Sequence, residues 1–195
     1  VAVYVFGFNN IEESVREVLV HHFSFVADAV GIPQILYNVP GRSIYDMQND
    51  IVLRLSGHDN IIGIKDATGD VARGKALMES LPDNFYVYSG DDPTAPELML
   101  AGGKGNISVT ANVIPRKMAE LCRLAMAGET EAARSLQGEL MPLHKALFTE
   151  ANPIPVKWAV SALGLMPAGI RLPLTPLIGT NQQILHTAMT SLALT

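Results

Sequence analysis

The first part of the chain alternates short apolar runs with segments whose apolar residues recur at the helical period. Glu12 to Val30 repeats its apolar residues every three or four positions, which predicts an amphipathic helix that ends at Gly31. The apolar runs are rich in β-branched residues and end at glycine, proline or acidic residues, as buried strands do. Five strands are predicted, at Val1 to Phe8, Ile32 to Val39, from Ile61, Phe85 to Ser89 and Asn106 to Thr110. Three more helices are predicted between them, at Asp46 to Ser56, Asp70 to Leu81 and Ala95 to Ala101.

Strands that alternate with helices in this way form βαβ units around a parallel sheet, which predicts an α/β fold. After Pro115 the apolar period is helical throughout, which predicts an all-helical C-terminal extension. We place the boundary near Gly128, with a βα region at residues 1–128 and a helical region at residues 129–195. The helices of this part are predicted at Pro115 to Ala127, Glu129 to Thr149, Pro153 to Leu163 and Thr180 to Leu194.

Composition and charge narrow the classes of function. The net charge of -5 and the lack of a basic run disfavour nucleic acid as a partner, and no run of apolar residues is long enough to span a membrane. The five histidines are scattered without the spacing of metal ligands, so no metal site is expected. Cys122 falls on a helical stripe with Met118 and Ala125, which favours packing over catalysis, and a single cysteine fits a cytoplasmic protein.

Lys65 is the first candidate for chemistry. It lies at the end of the apolar strand that begins at Ile61, and the following Thr68 to Asp70 is typical of a turn that starts a helix. The carboxyl ends of parallel strands are where α/β proteins bind ligands. Burial there would lower the pKa of the lysine and leave a neutral amine, which attacks carbonyl groups. The alternative is a lysine that extends from the strand end into solvent.

Two neighbouring strand ends carry further polar groups. Tyr37 and Arg42 follow one strand; a tyrosine can relay a proton, and an arginine can hold a carboxylate. Gly90, Asp91 and Asp92 follow another. Each has a structural alternative: Tyr37 as a packed ring, Arg42 as a solvated cation, and the two aspartates as caps of the helix beyond Pro93.

Six segments, in order along the chain, resemble the dihydrodipicolinate synthase family of the pyruvate-dependent class I aldolases and lyases. They are YNVPGRS from Tyr37, GIKDATGD from Gly63, YSGDD from Tyr88, GNISVTAN from Gly105, NPIPVKWA from Asn152 and RLPLTPL from Arg171. The resemblance implies a TIM barrel that condenses pyruvate with aspartate semialdehyde in lysine and diaminopimelate biosynthesis. It also implies that no cofactor is needed and that the protein is a homo-oligomer, a tetramer in the family.

The resemblance assigns a role to each candidate residue. Lys65 would form a Schiff base with pyruvate, and Tyr37 would relay protons beside it. Arg42 would receive the carboxylate of the aldehyde substrate. Ile107 would line the pyruvate site through its backbone, and Gly90 would border the second substrate.

The match runs from about His22 to the C-terminus, and the family's first four strands and threonine-rich turn have no counterpart in the chain. We therefore expect a partial TIM barrel of about five strands, with Val39, Ile64 and Val109 pointing to the barrel interior. The alternatives are N-acetylneuraminate lyase or another 2-oxo-acid aldolase of the superfamily, and a half-barrel that binds or assembles without catalysis.

Overall fold

The computed structural model describes residues 12–194, which form an α/β fold with three parallel strands. The strand predicted at Val1 to Phe8 lies outside the described residues. The described residues group into two compact units that divide after Ile107. The first unit contains α1 (Glu12–Ala29), β1 (Gln34–Asn38), α2 (Pro40–Ser43), α3 (Asn49–Leu55), β2 (Ile61–Asp66), α4 (Val71–Met78), β3 (Tyr86–Ser89) and α5 (Ala95–Leu100). The second contains a 3₁₀ turn (Thr110–Asn112), α6 (Pro115–Met126), α7 (Thr130–Ala146), α8 (Ile154–Ala162) and α9 (Gly179–Ser191).

The three strands lie side by side in the order β1–β2–β3, so the lysine-bearing strand is in the middle. Successive strands pair in parallel, and each connection crosses over through helical segments. Parallel neighbours on both sides satisfy the backbone of β2 and place the carboxyl ends of all three strands at one edge. That edge carries the candidate residues.

Local sequence signals begin and end the helices around the sheet. Gly69, at φ +75°, makes the turn after β2, and the side chain of Asp70 accepts a hydrogen bond from the backbone of Arg73, which caps α4. This confirms the predicted turn and helix start. Helices α1, α3 and α4 cover the apolar face of the sheet, and the core between them includes Phe23, Ile51, Leu55 and Leu77 from the helices and Ile64 and Val87 from the strands.

The strand predicted at Asn106 to Thr110 is wrong. Asn106 makes a single parallel bridge with Ser89, and the N–H of Ile107 donates to the Ser89 carbonyl at 2.9 Å. The pairing stops there, because Ser108 accepts a hydrogen bond from the N–H of Ala111 through its own hydroxyl. A serine that binds nearby backbone in this way competes with a strand and favours a turn.

The expectation that Ile64 points to the interior side with the active residues is also wrong. Ile64 is fully buried and aligns with Leu36 and Val87, and all three belong to the core beneath the helices. Side chains alternate along a strand, so a residue next to Lys65 has to face the opposite side of the sheet.

The second unit packs its helices around one apolar core, which includes Met118, Leu121, Leu140, Leu143, Leu185 and Met189. Ala125 is buried as well, whereas Cys122 on the same helix is partly exposed. One buried polar cluster lies within this unit: the two ring nitrogens of His144 are 2.7 Å from Thr110 Oγ1 and 3.2 Å from Gln137 Oε1. This cluster ties α7 to the 3₁₀ turn.

Candidate active site

Lys65 lies at the centre of the candidate site, near the carboxyl end of β2. Tyr37 on β1 and Tyr88 on β3 are its partners in register, so the three side chains leave the same face of the sheet. The Lys65 Nζ is 4.3 Å from the centre of the Tyr37 ring. An ammonium group at this distance from a ring face is attracted to it, and the contact also holds the lysine chain against β1.

Gly90 packs directly against the lysine chain from the other side. A Cβ atom at this position would lie 2.8 Å from Lys65 Cε, 3.0 Å from Lys65 Cγ and 2.8 Å from the Cβ of Ala67. The N–H of Gly90 donates to the Asp66 carbonyl at 2.7 Å, which fixes the turn after β3 onto the end of β2. The absence of a side chain at Gly90 therefore makes the space that the Lys65 chain occupies.

The surroundings of Lys65 lower its pKa. Burial is the main cause, since a half-buried ammonium loses hydration. Asp92 acts against this effect and raises the pKa of Lys65, whereas Arg42 lowers it further. A lowered pKa makes the neutral amine, which is the form that attacks carbonyl groups, more abundant near neutral pH.

Arg42 lies in the short turn that follows β1. Its N–H donates to the Val39 carbonyl at 2.9 Å, and the turn closes with the N–H of Ile44 donating to Pro40. Ile44 adopts a left-handed conformation at φ 66° while its side chain is 82% exposed. That conformation is unfavourable for a β-branched residue, so the turn that presents the exposed Arg42 is strained.

Ile107 lies beside the end of β3 through its backbone bond to Ser89, and its side chain is 41% exposed. The candidate site residues predicted from the sequence are Lys65, Tyr37, Arg42, Gly90 and Ile107. Of these, Tyr37 and Gly90 contact the lysine, and Arg42 acts on its charge. Ile107 is held by the neighbouring strand end and has no described contact with the lysine.

The two aspartates after Gly90 have different roles. Asp91 accepts hydrogen bonds from the N–H of Thr94 at 3.2 Å and from its hydroxyl at 2.7 Å, which caps the turn that begins α5. The capping role of Asp92 stays a prediction; its side chain is 2% exposed and accepts a hydrogen bond from Asn106 Nδ2 at 2.8 Å. An acidic residue before a helix is compatible with either role, so the sequence alone did not distinguish them.

A polar network behind the strand ends was not foreseen from the sequence. Arg73 of α4 pairs with Asp46 at 2.6 Å, and Asp46 also accepts from Asn38 Nδ2 at 2.8 Å. Arg73 also donates to the Met47 carbonyl. These bonds tie α4 to the loop after β1, on the side of the sheet away from Lys65. Burial raises the pKa of Asp66, which follows the lysine in β2 and accepts from the N–H of Thr68.

Other features of the described residues bring fewer reactive side chains together than the Lys65 site does. A cavity of about 510 Å³ in the second unit is lined mainly by apolar residues, among them Trp158 and Ile170, with Lys157 at its wall. Within residues 12–194, no group of three or more histidine, cysteine, aspartate and glutamate side chains could hold a metal ion. No helix in the same range is long and apolar enough to cross a membrane.

Comparison with known proteins shows which sequences and structures the chain resembles. A family model described as "Dihydrodipicolinate synthetase family" matches residues 11–192. The 4-hydroxy-tetrahydrodipicolinate synthase of Stutzerimonas stutzeri is 63% identical over 174 residues, which are 89% of this chain and 60% of that protein. The chain therefore spans about 60% of the length of this relative.

Solved structures of dihydrodipicolinate synthases are also similar to the chain. The chloride-inhibited dihydrodipicolinate synthase from Acinetobacter baumannii, complexed with pyruvate, is 51% identical with a TM-score of 0.90. The match covers 92% of this chain and 62% of that one. A structure described as the first monomeric dihydrodipicolinate synthase variant is 34% identical with a TM-score of 0.88, and the match covers 92% of this chain and 61% of that one.

Proposed function

The chain belongs to the dihydrodipicolinate synthetase family, and from this premise we propose that the protein condenses pyruvate with aspartate semialdehyde to 4-hydroxy-tetrahydrodipicolinate. The observation that carries the proposal is Lys65: a half-buried amine of lowered pKa at the end of a central parallel strand, held between Tyr37 and Gly90. Relatives that are 60% and 63% identical to the chain are named for this synthase, which favours it over N-acetylneuraminate lyase.

The first half of the reaction makes a nucleophile from pyruvate. The neutral Lys65 amine attacks the pyruvate ketone, and the carbinolamine loses water to give a protonated imine. Tyr37 moves protons during this loss, since its ring lies against the lysine chain. The imine then loses a proton from the pyruvate methyl group and becomes an enamine, with the iminium nitrogen as the electron sink. No cofactor takes part in this sequence.

The second half forms the carbon–carbon bond. The enamine carbon attacks the aldehyde of aspartate semialdehyde, and the imine re-forms. The amino group of the second substrate then attacks the imine carbon and displaces Lys65, which closes the ring and frees the enzyme. Arg42 receives the carboxylate of the aldehyde substrate, Gly90 borders this substrate, and the Ile107 backbone lines the pyruvate site.

We propose that the fold around this site is a partial TIM barrel followed by an all-helical extension. The three parallel strands with helices between them, and the high structural similarity to dihydrodipicolinate synthases, support the barrel. The helices after Pro115 support the extension. A barrel region at residues 1–128 and a helical region at residues 129–195 remain predictions. Homo-oligomer formation and a cytoplasmic location are proposals as well.

The function is tested by incubating the protein with pyruvate and either aspartate semialdehyde or N-acetylmannosamine, and following pyruvate consumption. We expect consumption with the semialdehyde and none above background with the sugar, and we expect Lys65→Met to abolish it. Preferential use of the sugar would support the lyase instead. Binding of pyruvate without consumption of either second substrate would support the non-catalytic half-barrel.

A further inference from the structure

An arginine of α4 binds a segment of the loop between β1 and α3, although the proposed reaction sequence does not use it. The side chain of Arg73 is 14% exposed. Each of the three nitrogens of its guanidinium donates to residues 46–49: to Asp46 Oδ1 at 2.6 Å, to Asn49 Oδ1 at 3.1 Å and to the Met47 carbonyl. Asn49 in turn donates its Nδ2 to the Arg73 carbonyl at 3.2 Å. A planar fork with all three nitrogens engaged fixes this segment against α4.

The same segment is bonded to the end of β1. Asn38 donates its Nδ2 to Asp46 Oδ1 at 2.8 Å, and its Oδ1 accepts from the N–H of Met47 at 3.0 Å. Asn38 is 2% exposed, so these bonds are shielded from water. Residues 39–45, which we call the Arg42 loop, therefore begin and end at two points that are bonded to each other and, through Asp46, to α4.

The Arg42 loop contains strained backbone. Ile44 has a left-handed conformation at φ 66° and its side chain is 82% exposed, so packing of this side chain does little to offset the strain. Inside the loop, the N–H of Arg42 and the hydroxyl of Ser43 both donate to the Val39 carbonyl, at 2.9 and 3.1 Å. Backbone strain persists only where the surrounding structure over-determines it, and the bonds at the base of the loop add to that constraint.

We propose that Arg73 is a positioning residue: it clamps the base of the Arg42 loop and thereby holds the Arg42 guanidinium where it receives the carboxylate of the aldehyde substrate. This inference rests on the proposed function, in which Arg42 has that role. A bidentate contact with a carboxylate needs the guanidinium in a narrow range of orientations, and a group held there in advance costs less to order when the substrate binds. Asn38 is the strand neighbour of Tyr37, so the clamp lies on the side of the sheet away from Lys65 and should leave imine formation unchanged.

The test compares kcat/KM for aspartate semialdehyde with the rate at which borohydride traps pyruvate on Lys65. Arg73→Met removes the fork and keeps a long side chain. We expect kcat/KM for the semialdehyde to fall about tenfold, as for a displaced binding group, and the trapping rate to stay within about twofold. In an Arg42→Ala background the same change should cause no further fall beyond about twofold, because it acts through Arg42. Arg54→Met is the matched control: Arg54 donates to both carboxylate oxygens of Glu17 on α1, and its loss should leave both values unchanged.

Three results would overturn the proposal. They are an unchanged kcat/KM in Arg73→Met, an equal fall in kcat/KM and in pyruvate trapping, and a fall that is fully additive with Arg42→Ala, since a general loss of structure produces either of the last two. If Arg73→Met does not fold, Asp46→Asn replaces it, because Asp46 is the more exposed partner and the amide oxygen still accepts from Asn38. We expect a smaller fall that also vanishes in the Arg42→Ala background, and the same three results would overturn the proposal.

Limited digestion with trypsin tests the loop without any substrate. Cleavage between Arg42 and Ser43 requires the closed turn to open, so we expect Arg73→Met to raise its rate about tenfold relative to cleavage at the exposed Arg116, the effect of losing about one hydrogen bond that holds the loop closed. An unchanged ratio of the two rates would overturn the proposal. Absence of any pyruvate adduct in the unsubstituted protein would instead refute the proposed function, while the trypsin ratio would still report on the clamp.

Discussion

Substitution of Gly90 by alanine tests the packing that holds Lys65 in place. The added Cβ would lie 2.8 Å from both Lys65 Cε and Ala67 Cβ. Carbon atoms in ordinary contact are about 3.5 to 4.0 Å apart, so one side has to move by about 0.7 Å or more. The lysine chain can move away by itself, whereas Ala67 is held by the bond from its N–H to the Asn38 carbonyl, so relief of that second contact requires the Gly90 turn to shift.

Two measurable effects follow from this displacement. Overpacking of this kind costs about 1 to 3 kcal/mol of stability. A displacement approaching 1 Å at a reacting group can cost about a hundredfold in rate, so we expect imine formation with pyruvate to slow by about ten- to a hundredfold. Chemical denaturation measures the first effect, and the rate of borohydride-trapped adduct formation measures the second.

Gly138→Ala is the matched control for the glycine change itself. Gly138 lies inside α7, and a Cβ atom added at this position would meet no neighbouring group within 4 Å. Alanine is favoured over glycine in a helix interior by about 0.5 to 1 kcal/mol, so this variant should gain stability and form the imine normally. Unchanged stability together with an unchanged trapping rate in Gly90→Ala would refute the packing argument.

Three further changes test other parts of the site. Arg42→Ala should lower turnover with aspartate semialdehyde about ten- to a hundredfold, the effect of a lost charged hydrogen bond, while pyruvate trapping changes little; an equal loss in both would contradict its selective role. Ile44→Gly relieves the left-handed strain and should raise the free energy of urea unfolding by about 0.5 to 1 kcal/mol, and a loss would refute the strain. Lys65→Met should be more stable than the unsubstituted protein below the native pKa of Lys65. That advantage should disappear as the pH rises to the ordinary lysine pKa, because over this interval the unfolded chain binds a proton that the native chain does not. Unfolding free energies measured over a pH series check it, and a difference independent of pH would contradict it.

The helices could be predicted from the sequence because each carries a long apolar period and a clear stop. The predicted helix Glu12 to Val30 is observed as Glu12–Ala29, and Pro115 to Ala127 as Pro115–Met126. The lysine strand was equally clear, because three isoleucines precede a turn whose cap residue is Asp70. These signals are local, so the structures that they predict do not depend on how the rest of the chain folds.

Part of what the sequence did not predict depends on distant parts of the chain. The segment Asn106 to Thr110 has the composition of a strand, yet it pairs only where it meets Ser89 and then turns at Ser108. The pairing of Arg73 with Asp46 joins residues 27 positions apart, which no local pattern indicates. Pairing and burial of this kind are set by tertiary packing, which overrides local preference.

The side of the sheet that Ile64 faces could have been derived from the sequence. If Lys65 faces the site, the period of two along a strand requires Ile64 to face the helices. The same alternation places Tyr37 and Tyr88 beside the lysine once the register is known. The register itself came only from the structure, since a shift of one residue would reverse both faces.

The most direct test of the central claim is to identify the lysine that bonds to pyruvate. The protein is incubated with pyruvate, reduced with borohydride, digested and mapped by mass spectrometry, with the Lys65→Met variant treated in parallel. We predict one reduced pyruvyl group on Lys65, and no adduct in the variant. An adduct on Lys104 or Lys157 with Lys65 unmodified, or equal labelling of the variant, would contradict the assignment of Lys65 as the Schiff-base lysine.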